Sequence, residues 1–570
     1  MLKTFQYPRF AYRSAPELQL SGRTGHHPVV VVGAGPVGLA AAIDLAQHGV
    51  PVVLLDDDNT VSIGSRGLCY AKRTLEILDR LGCGQAVVDK GVTWNVGRTF
   101  FRDEEVFRFN LQPEADHQRP GMVNLQQYHL EDILVRRAGQ CPLIDLRWQH
   151  KVVGVTPLDE GAHVEVETAD GRYTLLADWL VVADGARSPV RHMMGLDMEG
   201  KVFKDRFLIA DVVMEADFPA ERWFWFDPPF HPGQSVLLHR EADNVWRIDF
   251  QLGWDADPEE EKKPERVLPR IQAMLGPDRT FELEWVSVYT FQCRRMERFR
   301  HGRVLFVGDA AHQVSPFGAR GANSGIQDAD NLAWKLKWVM DGRAPHTLLD
   351  SYSMERVAAA EENLLNSTRS IDFITPKSEV SRDFRNAVLS LARDHAFARA
   401  LVNSGRLSVA SHLTSSGLNT PDSDEFVGRM YPGAPLDDAP VCQPGHTQES
   451  WLLGLTGQRF VLLVFMDGVD ELTPQALAAW AALAAPQSNT DGHHTPVETL
   501  VILQQDAAPP AGVNCVIDVR GIAAKRLDAR SGTAYLLRPD QHVAARWRQL
   551  RWPEGLEPVR AATRRALGEP

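Results

Sequence analysis

The stretch RVLFVGDAAHQVSPFGARGANSGIQDADNLAWKLKWVM, residues 303–340, constrains this chain most. It reads as an apolar strand, Val304 to Val307, then Gly308-Asp309, then a loop broken by Pro316, Gly318 and Gly321. An amphipathic helix follows from about Asn323. It sets Ile326, Ala329, Leu332, Ala333, Leu336 and Val339 against Gln327, Asp328, Asp330 and Lys335, the period of a half-buried helix. A carboxylate at a strand tip, a pliable turn and a helix N-terminus are thereby offered to one ligand. An ordinary buried helix behind a loop explains the periodicity but not the Gly/Pro content of 316–321.

A second unit of this kind lies far upstream. Val29 to Val32 is β-branched throughout, as suits a strand buried on both faces. Gly33-Ala34-Gly35-Pro36-Val37-Gly38 follows, which is G-x-G-x-x-G, and then an Ala-rich helix that stops at Gly49. Gly33 permits the tight turn, Gly35 lets the backbone approach a pyrophosphate, and Gly38 lets the helix pack closely. The phosphate belongs on the helix N-terminus at Pro36 and Val37, where free N–H groups and the dipole favour an anion. The next strand, Pro51 to Leu55, ends in Asp56, followed by Asp57 and Asp58. A carboxylate there can accept from a ribose diol, which fits an unphosphorylated adenosine ribose as in FAD or NAD. The acidic trio also reads as a solvated turn.

A third segment, WLVVADGARSPVR at 179–191, is a strand to Ala183 and a turn at Asp184-Gly185. Arg187 and Arg191 are then placed to meet a nicotinamide cofactor's phosphates. Two nucleotide units so far apart argue for one large nucleotide, FAD, held by a discontinuous domain. The ribityl hydroxyls are donors and would suit Asp309. With no second complete G-x-G-x-x-G, NADH or NADPH is expected only as a transient co-substrate.

At 570 residues the chain exceeds what one core supports. A net charge of −13 without a basic stripe argues against nucleic acid as a partner. The six cysteines form no CxxC pair, so idle thiols in a reducing compartment are expected, and no metal site is written. There is no run of about 18 apolar residues. Residues 1–28 are polar, with Pro8, Pro16 and Pro28, and lack the apolar middle of a secretory signal. A cytoplasmic protein with an N-terminal arm and no membrane partner is the expectation.

Residues 201–299 alternate apolar and polar in short aromatic-rich runs, such as Arg222 to Phe226, Ser235 to Arg240 and Val245 to Leu252. That reads as an antiparallel sheet with one packed face, able to cover a flavin with an apolar pocket holding a few polar groups. His239, Gln251 and Tyr289 are the candidate substrate contacts, with a structural role the commoner reading for each. Trp223-x-Trp225 with Pro228 touches the W-x-W-x-x-P of flavin halogenases, but Asp227 occupies the usually apolar slot.

Taken together, G-x-G-x-x-G at 33–38, DG at 184–185, and GD at 308–309 continuing as DAAHxxxPxxxxGxNxGxxDAxNLAWKL resemble the class A flavoprotein monooxygenases. That is the group of p-hydroxybenzoate hydroxylase and phenol hydroxylase. The nearest branch is similar to 3-(3-hydroxyphenyl)propionate and 2,4-dichlorophenol hydroxylases. The resemblance covers residues 29–375 well and is looser beyond. It implies that Gly33, Gly35 and Gly38 hold the FAD pyrophosphate, Asp56 the adenosine ribose, and Arg66 the diphosphate. It puts Gln126 on the ribityl or flavin side, Asp309 on the ribityl chain, and Pro316, Gly321, Ala322 and Asn323 along the isoalloxazine. Phenol hydroxylase has a substrate-deprotonating aspartate just after the second strand; apolar Leu68 stands there in this chain.

The implied fold class is α/β (α+β). A Rossmann-like FAD domain spans 29–200 and 300–375, with part of 95–125 allowed to join the substrate domain at 201–299. A helical linker at 376–424 leads to a thioredoxin-like tail at 425–570, whose expected role is packing or dimerisation, so a homodimer is allowed. The implied chemistry is hydroxylation of a phenolic aromatic compound through a C4a-hydroperoxyflavin, using NAD(P)H and O2. Alternatives are a polyketide monooxygenase or epoxidase of the same fold, and a non-catalytic flavin sensor.

Overall fold

The computed structural model describes residues 4–19, 24–485, 488–489, 492–493 and 495–569. Its first sheet runs, in spatial order, Arg300–His301, Val304–Phe306, Gly171–Val182, Gly25–Val32, Val52–Asp56 and Ile144–Trp148. From Val304–Phe306 to Ile144–Trp148 all neighbours are parallel. Val29 to Val32 are buried because helices cover both faces of such a sheet. The register aligns Val32 with Leu55 and Val182, and Val182 with Phe306. Gly33, Asp56, Asp184 and Gly308 therefore emerge from adjacent strand ends at one edge. That edge is where open parallel sheets bind ligands.

The first strand begins at Gly25, four residues before the β-branched run, because it pairs along Gly171–Val182 from Leu175 onward. The arm before it is pinned by aromatics: Phe5 stacks on Tyr128 and Phe10 on Trp148. Glu17 pairs with Arg147 at 2.9 Å.

The second sheet runs His312–Gln313, Glu282–Arg295, Glu199–Val213, Val245–Leu252, Ser235–Arg240, Arg222–Phe226, Val96–Phe101 and Glu104–Asn110. Residues 96–110 thus leave the first domain and complete this sheet; Val96–Phe101 pairs parallel to Arg222–Phe226. One face is a core: Leu208, Ala210, Val212, Val236, Leu238, Trp246, Ile248 and Phe250 pack on Val267 and Ile271 of helix Pro264–Leu275. The alternate residues, polar and aromatic, form the opposite face, which closes over the strand ends of the first sheet.

The tail is βαβ followed by ββα. Phe460–Met466 leads through helix Pro474–Ala484 to the parallel strand Val497–Leu503. The hairpin Ala534–Leu537 and Val543–Trp547 then adds antiparallel on the other side, ahead of helix Leu556–Ala566. This is a thioredoxin-like layer without a CxxC pair. It docks on helix Gly321–Met340, where Phe460 meets the edges of Trp334 and Trp338 at 5.9 and 6.3 Å.

The segment 376–424 is helical only over Glu379–Ala392 and Ala396–Arg399. Beyond Asn403-Ser404-Gly405 the chain runs to 424 without helix or strand, and the Ser404, Arg406 and Leu407 carbonyls accept from Arg222 and Arg320. Among the described residues no helix is long and apolar enough to cross a membrane.

Candidate active site

The cradle is built from the strand ends at Gly33, Asp184 and Gly308, with Asp56 from a fourth strand beside the first. A Cβ on Gly38 would lie 1.9 Å from the Gly33 carbonyl oxygen, and one on Gly33, whose φ is +103°, would lie 2.5 Å from the Ala183 oxygen. Only glycine fits either place. A Cβ on Gly35 would meet nothing within 4 Å, so that glycine borders open space. Helix Pro36–Gln47 starts there with no side-chain cap, leaving its first N–H groups free for an anion. Asp56 turns inward: its Oδ2 accepts from Ala34 N at 2.6 Å and its Oδ1 from Asp58 N at 2.9 Å. Burial pushes its carboxyl up to about 6. Asp57 is exposed beside it.

Asp184 caps the short helix Pro189–Met193 by accepting from Val190 N at 3.0 Å. Its Oδ1 is buried without a partner, and burial raises its carboxyl. Arg191 does not meet the expectation of a free phosphate ligand. It is buried and donates to the Ala310 oxygen at 2.8 Å and the Ala186 oxygen at 3.2 Å. It clamps the second strand end to the third. Arg187 is exposed.

At the third strand end, Gly308-Asp309 forms a 3-10 turn. The Asp309 side chain is open to solvent-sized space, yet enough protein surrounds it to push its carboxyl up by burial. It faces an internal cleft. A Cβ on Gly321, first residue of helix Gly321–Met340, would lie 3.8 Å from Asp309 Oδ1. That helix too has no side-chain cap. Pro316 and Ala322 are half-buried beside it. Asn323 is buried and bridges: its Oδ1 accepts from Ala71 N and its Nδ2 donates to the Cys69 oxygen, both at 2.8 Å. It orders strand Cys69–Ala71 against the helix start instead of facing the cleft.

Arg66 is exposed in the loop before that strand, and its charge acts on both Asp309 and Glu131. Gln126 differs from the expectation. It is fully buried, and its Nε2 donates to the Ala242 oxygen at 3.1 Å. The next residue, Gln127, is half-open and accepts from Gly67 N at 2.8 Å, beside Arg66. One step of helix phase at the N-cap separates the two.

Of the three candidate substrate contacts, Gln251 is engaged in its own sheet, accepting from Ser235 N at 3.0 Å. His239 is buried, 3.5 Å from Asn124 Nδ2. Burial, then Arg222 and Arg247, hold it neutral. Tyr289 is half-buried, and the charges of both Asp249 and Asp309 reach it. It joins the sheet face to the cradle. Leu68 is buried among Cys69, Ala71, Trp94 and Met122.

Sequence reasoning missed the charged set on this face. Arg247 donates to both Asp211 oxygens at 2.8 and 2.9 Å, with Glu241 at 3.4 Å. Arg222 and Asp249 accompany them. The signal was present in VWRIDFQL, whose polar residues recur every second position.

A carboxylate beside an uncapped helix start, glycines that a Cβ would block, and an orphaned buried Asp184 oxygen suit a long, donor-rich, anionic dinucleotide such as FAD. Residues 26–367 match the family described as FAD binding domain. The 6-methylpretetramide 4-monooxygenase of Streptomyces rimosus is 31% identical over 533 residues, 89% of this chain and 92% of that protein. The para-nitrophenol 4-monooxygenase of Pseudomonas sp. (strain WBC-3) is 31% identical over 338 residues, 58% of this chain and 82% of that protein. The fold is shared with the flavin-dependent monooxygenase PieE, solved with FAD and substrate, at a TM-score of 0.77 and 23% identity, over 96% of this chain and 99% of that one. With the family match spanning more than half its length, the chain belongs to the FAD binding domain family and is a class A flavoprotein hydroxylase.

Proposed function

We propose that this enzyme hydroxylates a phenolic ring, using one NAD(P)H and one O2 per turnover. The observation that carries the reading is the cleft itself. A cradle of three strand ends lies under a sheet face that mixes Phe207, Phe224 and Phe291 with a few buried charges. Bound FAD supplies hydride acceptance and oxygen activation. The chain supplies placement. Gly33, Gly35 and Gly38 and the uncapped helix start would take the pyrophosphate, with Arg66 supplying a cation to it. Asp56 takes the adenosine ribose and Asp309 the ribityl hydroxyls. The uncapped start of helix Gly321–Met340 would favour an anionic group held beside it. The aromatic cluster with Phe317 keeps water from the reacting edge.

A fused-ring polyketide phenol is the second reading, favoured by the S. rimosus relative that aligns over 89% of the chain. Both readings favour an enzyme over a flavin sensor. The test is a screen of simple and polycyclic phenols for coupled NAD(P)H and O2 consumption by the yellow holoprotein, with product mass. Gain of one oxygen atom by a phenol is the expected result. A flavoprotein whose NAD(P)H oxidation no aromatic compound stimulates overturns the reading.

A further inference from the structure

The inner face of the second sheet carries two carboxylates with unpartnered oxygens, Glu241 and Asp249, and of these only Glu241 has a cation within ion-pair distance among the described residues. Asp249 pairs through its backbone with Ile209 and Leu237, and its side chain leaves on the face opposite Ile248 and Phe250. Among the described residues it makes no hydrogen bond and no ion pair. Its Oδ1 is sealed and unpartnered, while the residue as a whole is half-open. Of the other charges nearby, Asp211 is paired, and Glu241, whose oxygens accept no hydrogen bond, lies 3.4 Å from Arg247. Arg247 is bidentate on Asp211 and also donates to the Ser65 oxygen. Burial pushes the Glu241 carboxyl up against the pull of Arg247, with Asp211 and Asp249 adding to the rise.

Arg222 is the complement. It is 2% exposed and, among the described residues, has no carboxylate within ion-pair distance. It donates to the Ser404 oxygen at 2.6 Å and the Ser404 hydroxyl at 3.4 Å. The row Phe224–Leu237–Asp249 crosses the sheet, and Arg222 stands two residues before Phe224. The two charges are therefore two strands apart, about 10 Å sideways and about 7 Å along. That is too far for them to pair, although each acts on the other. Both act on Cys69, whose carbonyl Asn323 holds at the helix start. Asp249 also acts on Tyr289, which feels Asp309 of the cradle. The gap between Arg222 and Asp249 thus opens next to the flavin cradle.

We propose that Asp249 accepts the proton of a phenolic hydroxyl on the substrate while Arg222 faces the negative charge so formed. The inference rests on the hydroxylase reading above and names its substrate class and its base. The O–H bond of the phenol breaks and an O–H bond on the Asp249 carboxylate forms; no electrons change carrier, and the site keeps its net charge. The base is supplied by strand Val245–Leu252, where the segment after the second strand offers only Leu68. Burial raises the Asp249 carboxyl to about 7, with Arg247 and Arg222 pulling down and Asp211 pushing up. It is thus ionised at mildly alkaline pH and matched to proton transfer near neutrality. Against a phenol near 10 the transfer is about a thousandfold uphill, which Arg222 offsets and an acidified phenol avoids.

The experiment compares wild-type holoenzyme with Asp249→Asn on two probes, resorcinol and p-nitrophenol, the latter already ionised at pH 8.5. Removing a buried, unpartnered charge leaves the fold intact; flavin content and melting temperature check this. The expected result is a fall in kcat/KM for resorcinol of about 100-fold or more at pH 7, and under tenfold for p-nitrophenol at pH 8.5. The resorcinol profile of the wild type rises through about pH 7, and the variant lacks that limb. Asp249→Glu, which keeps a carboxylate, recovers part of the resorcinol rate. Equal losses on both probes, no loss on resorcinol, or a wild type that oxidises neither phenol each overturn the proposal. If other aromatics still drive NAD(P)H oxidation, only this inference falls; if none does, the hydroxylase reading falls with it.

Discussion

The Asp328 carboxylate accepts the backbone N–H of Gly308 at 2.9 Å, across 20 residues of chain. The helix thereby holds the turn that presents Asp309. Its grip comes from His312 Nε2 at 2.7 Å and Arg356 Nε at 2.6 Å, all three side chains buried. Burial alone would raise the Asp328 carboxyl, and His312 and Arg356 reverse that and hold it below its ordinary value. Asp328→Ala leaves Arg356 a buried cation without this partner, which costs about 3–5 kcal/mol. Urea unfolding should show that loss together with weaker FAD retention. An unchanged midpoint would mean that the turn is held by something else.

Gly38→Ala tests the close packing behind the pyrophosphate turn. The new Cβ would meet the Gly33 carbonyl oxygen at 1.9 Å, a backbone atom that cannot swing away. Overpacking of this kind costs about 1–3 kcal/mol, and the displaced turn belongs to the FAD cradle. FAD titration of the apoprotein should give a dissociation constant about 10- to 100-fold weaker. Wild-type affinity in the variant would place the pyrophosphate elsewhere.

The tail's attachment rests on Arg538, which donates to Glu355 at 2.7 and 3.1 Å and to Asp540 at 3.0 Å. Lys335 reaches the same Glu355 at 2.6 Å. All four groups are buried, so the pairs are not screened as surface pairs are. Arg538→Ala takes the arginine from both Glu355 and Asp540, leaving Asp540 to His542 and Asn331, and costs about 3–5 kcal/mol. Limited proteolysis should then cut faster within 400–424, the helix-free stretch before the tail. Equal cutting rates in variant and wild type would show that the Trp334, Trp338 and Phe460 contacts suffice.

The parts of the site that could be read in the sequence are those written in backbone chemistry. Val29–Val32 with its glycines, and Val304–Phe306 with Gly308-Asp309, state their strand ends and turns locally. What escaped depends on which way a side chain turns in three dimensions. Arg191 looked available because nothing local shows that Ala310, over a hundred residues on, receives it. Gln126 and Gln127 differ by one helical step, and only the packed helix shows that Ala242 takes the first. Arg222 and Asp249 lie on strands whose alternation is plain, but that neither meets an opposite charge within ion-pair distance emerges only when the sheet is assembled. The helix-free run after Ser404 is shaped by its contacts: Arg222 and Arg320 draw on its carbonyls.

Asp44 gives the molecule a pH-dependent weakness with a definite sign. It lies on helix Pro36–Gln47, 3% exposed, with Oδ1 lacking a hydrogen-bond partner. His48, 3.7 Å away, is itself pushed down to about 4 by burial and so brings no charge at neutral pH. Burial raises the Asp44 carboxyl to about 7; Arg80 pulls down, while Asp330 and Asp540 push further up. In the unfolded chain the group titrates near its ordinary 3.8. Because the folded value is the higher one, native protein binds the extra proton between these limits. Stability is therefore lost as pH rises from about 4 to about 7, and the loss is constant above that. Its full size is about 4 kcal/mol, an order of magnitude set by roughly three pH units. Asp44→Asn keeps the shape and removes the titration, so it should stabilise the protein at pH 8 by up to that amount, and by less than half as much at pH 5. Urea midpoints of both proteins at the two pH values check this. A gain that is equal at both, or a loss at pH 8, would show that Arg80 keeps Asp44 ionised in the native state and that its charge supports the helix.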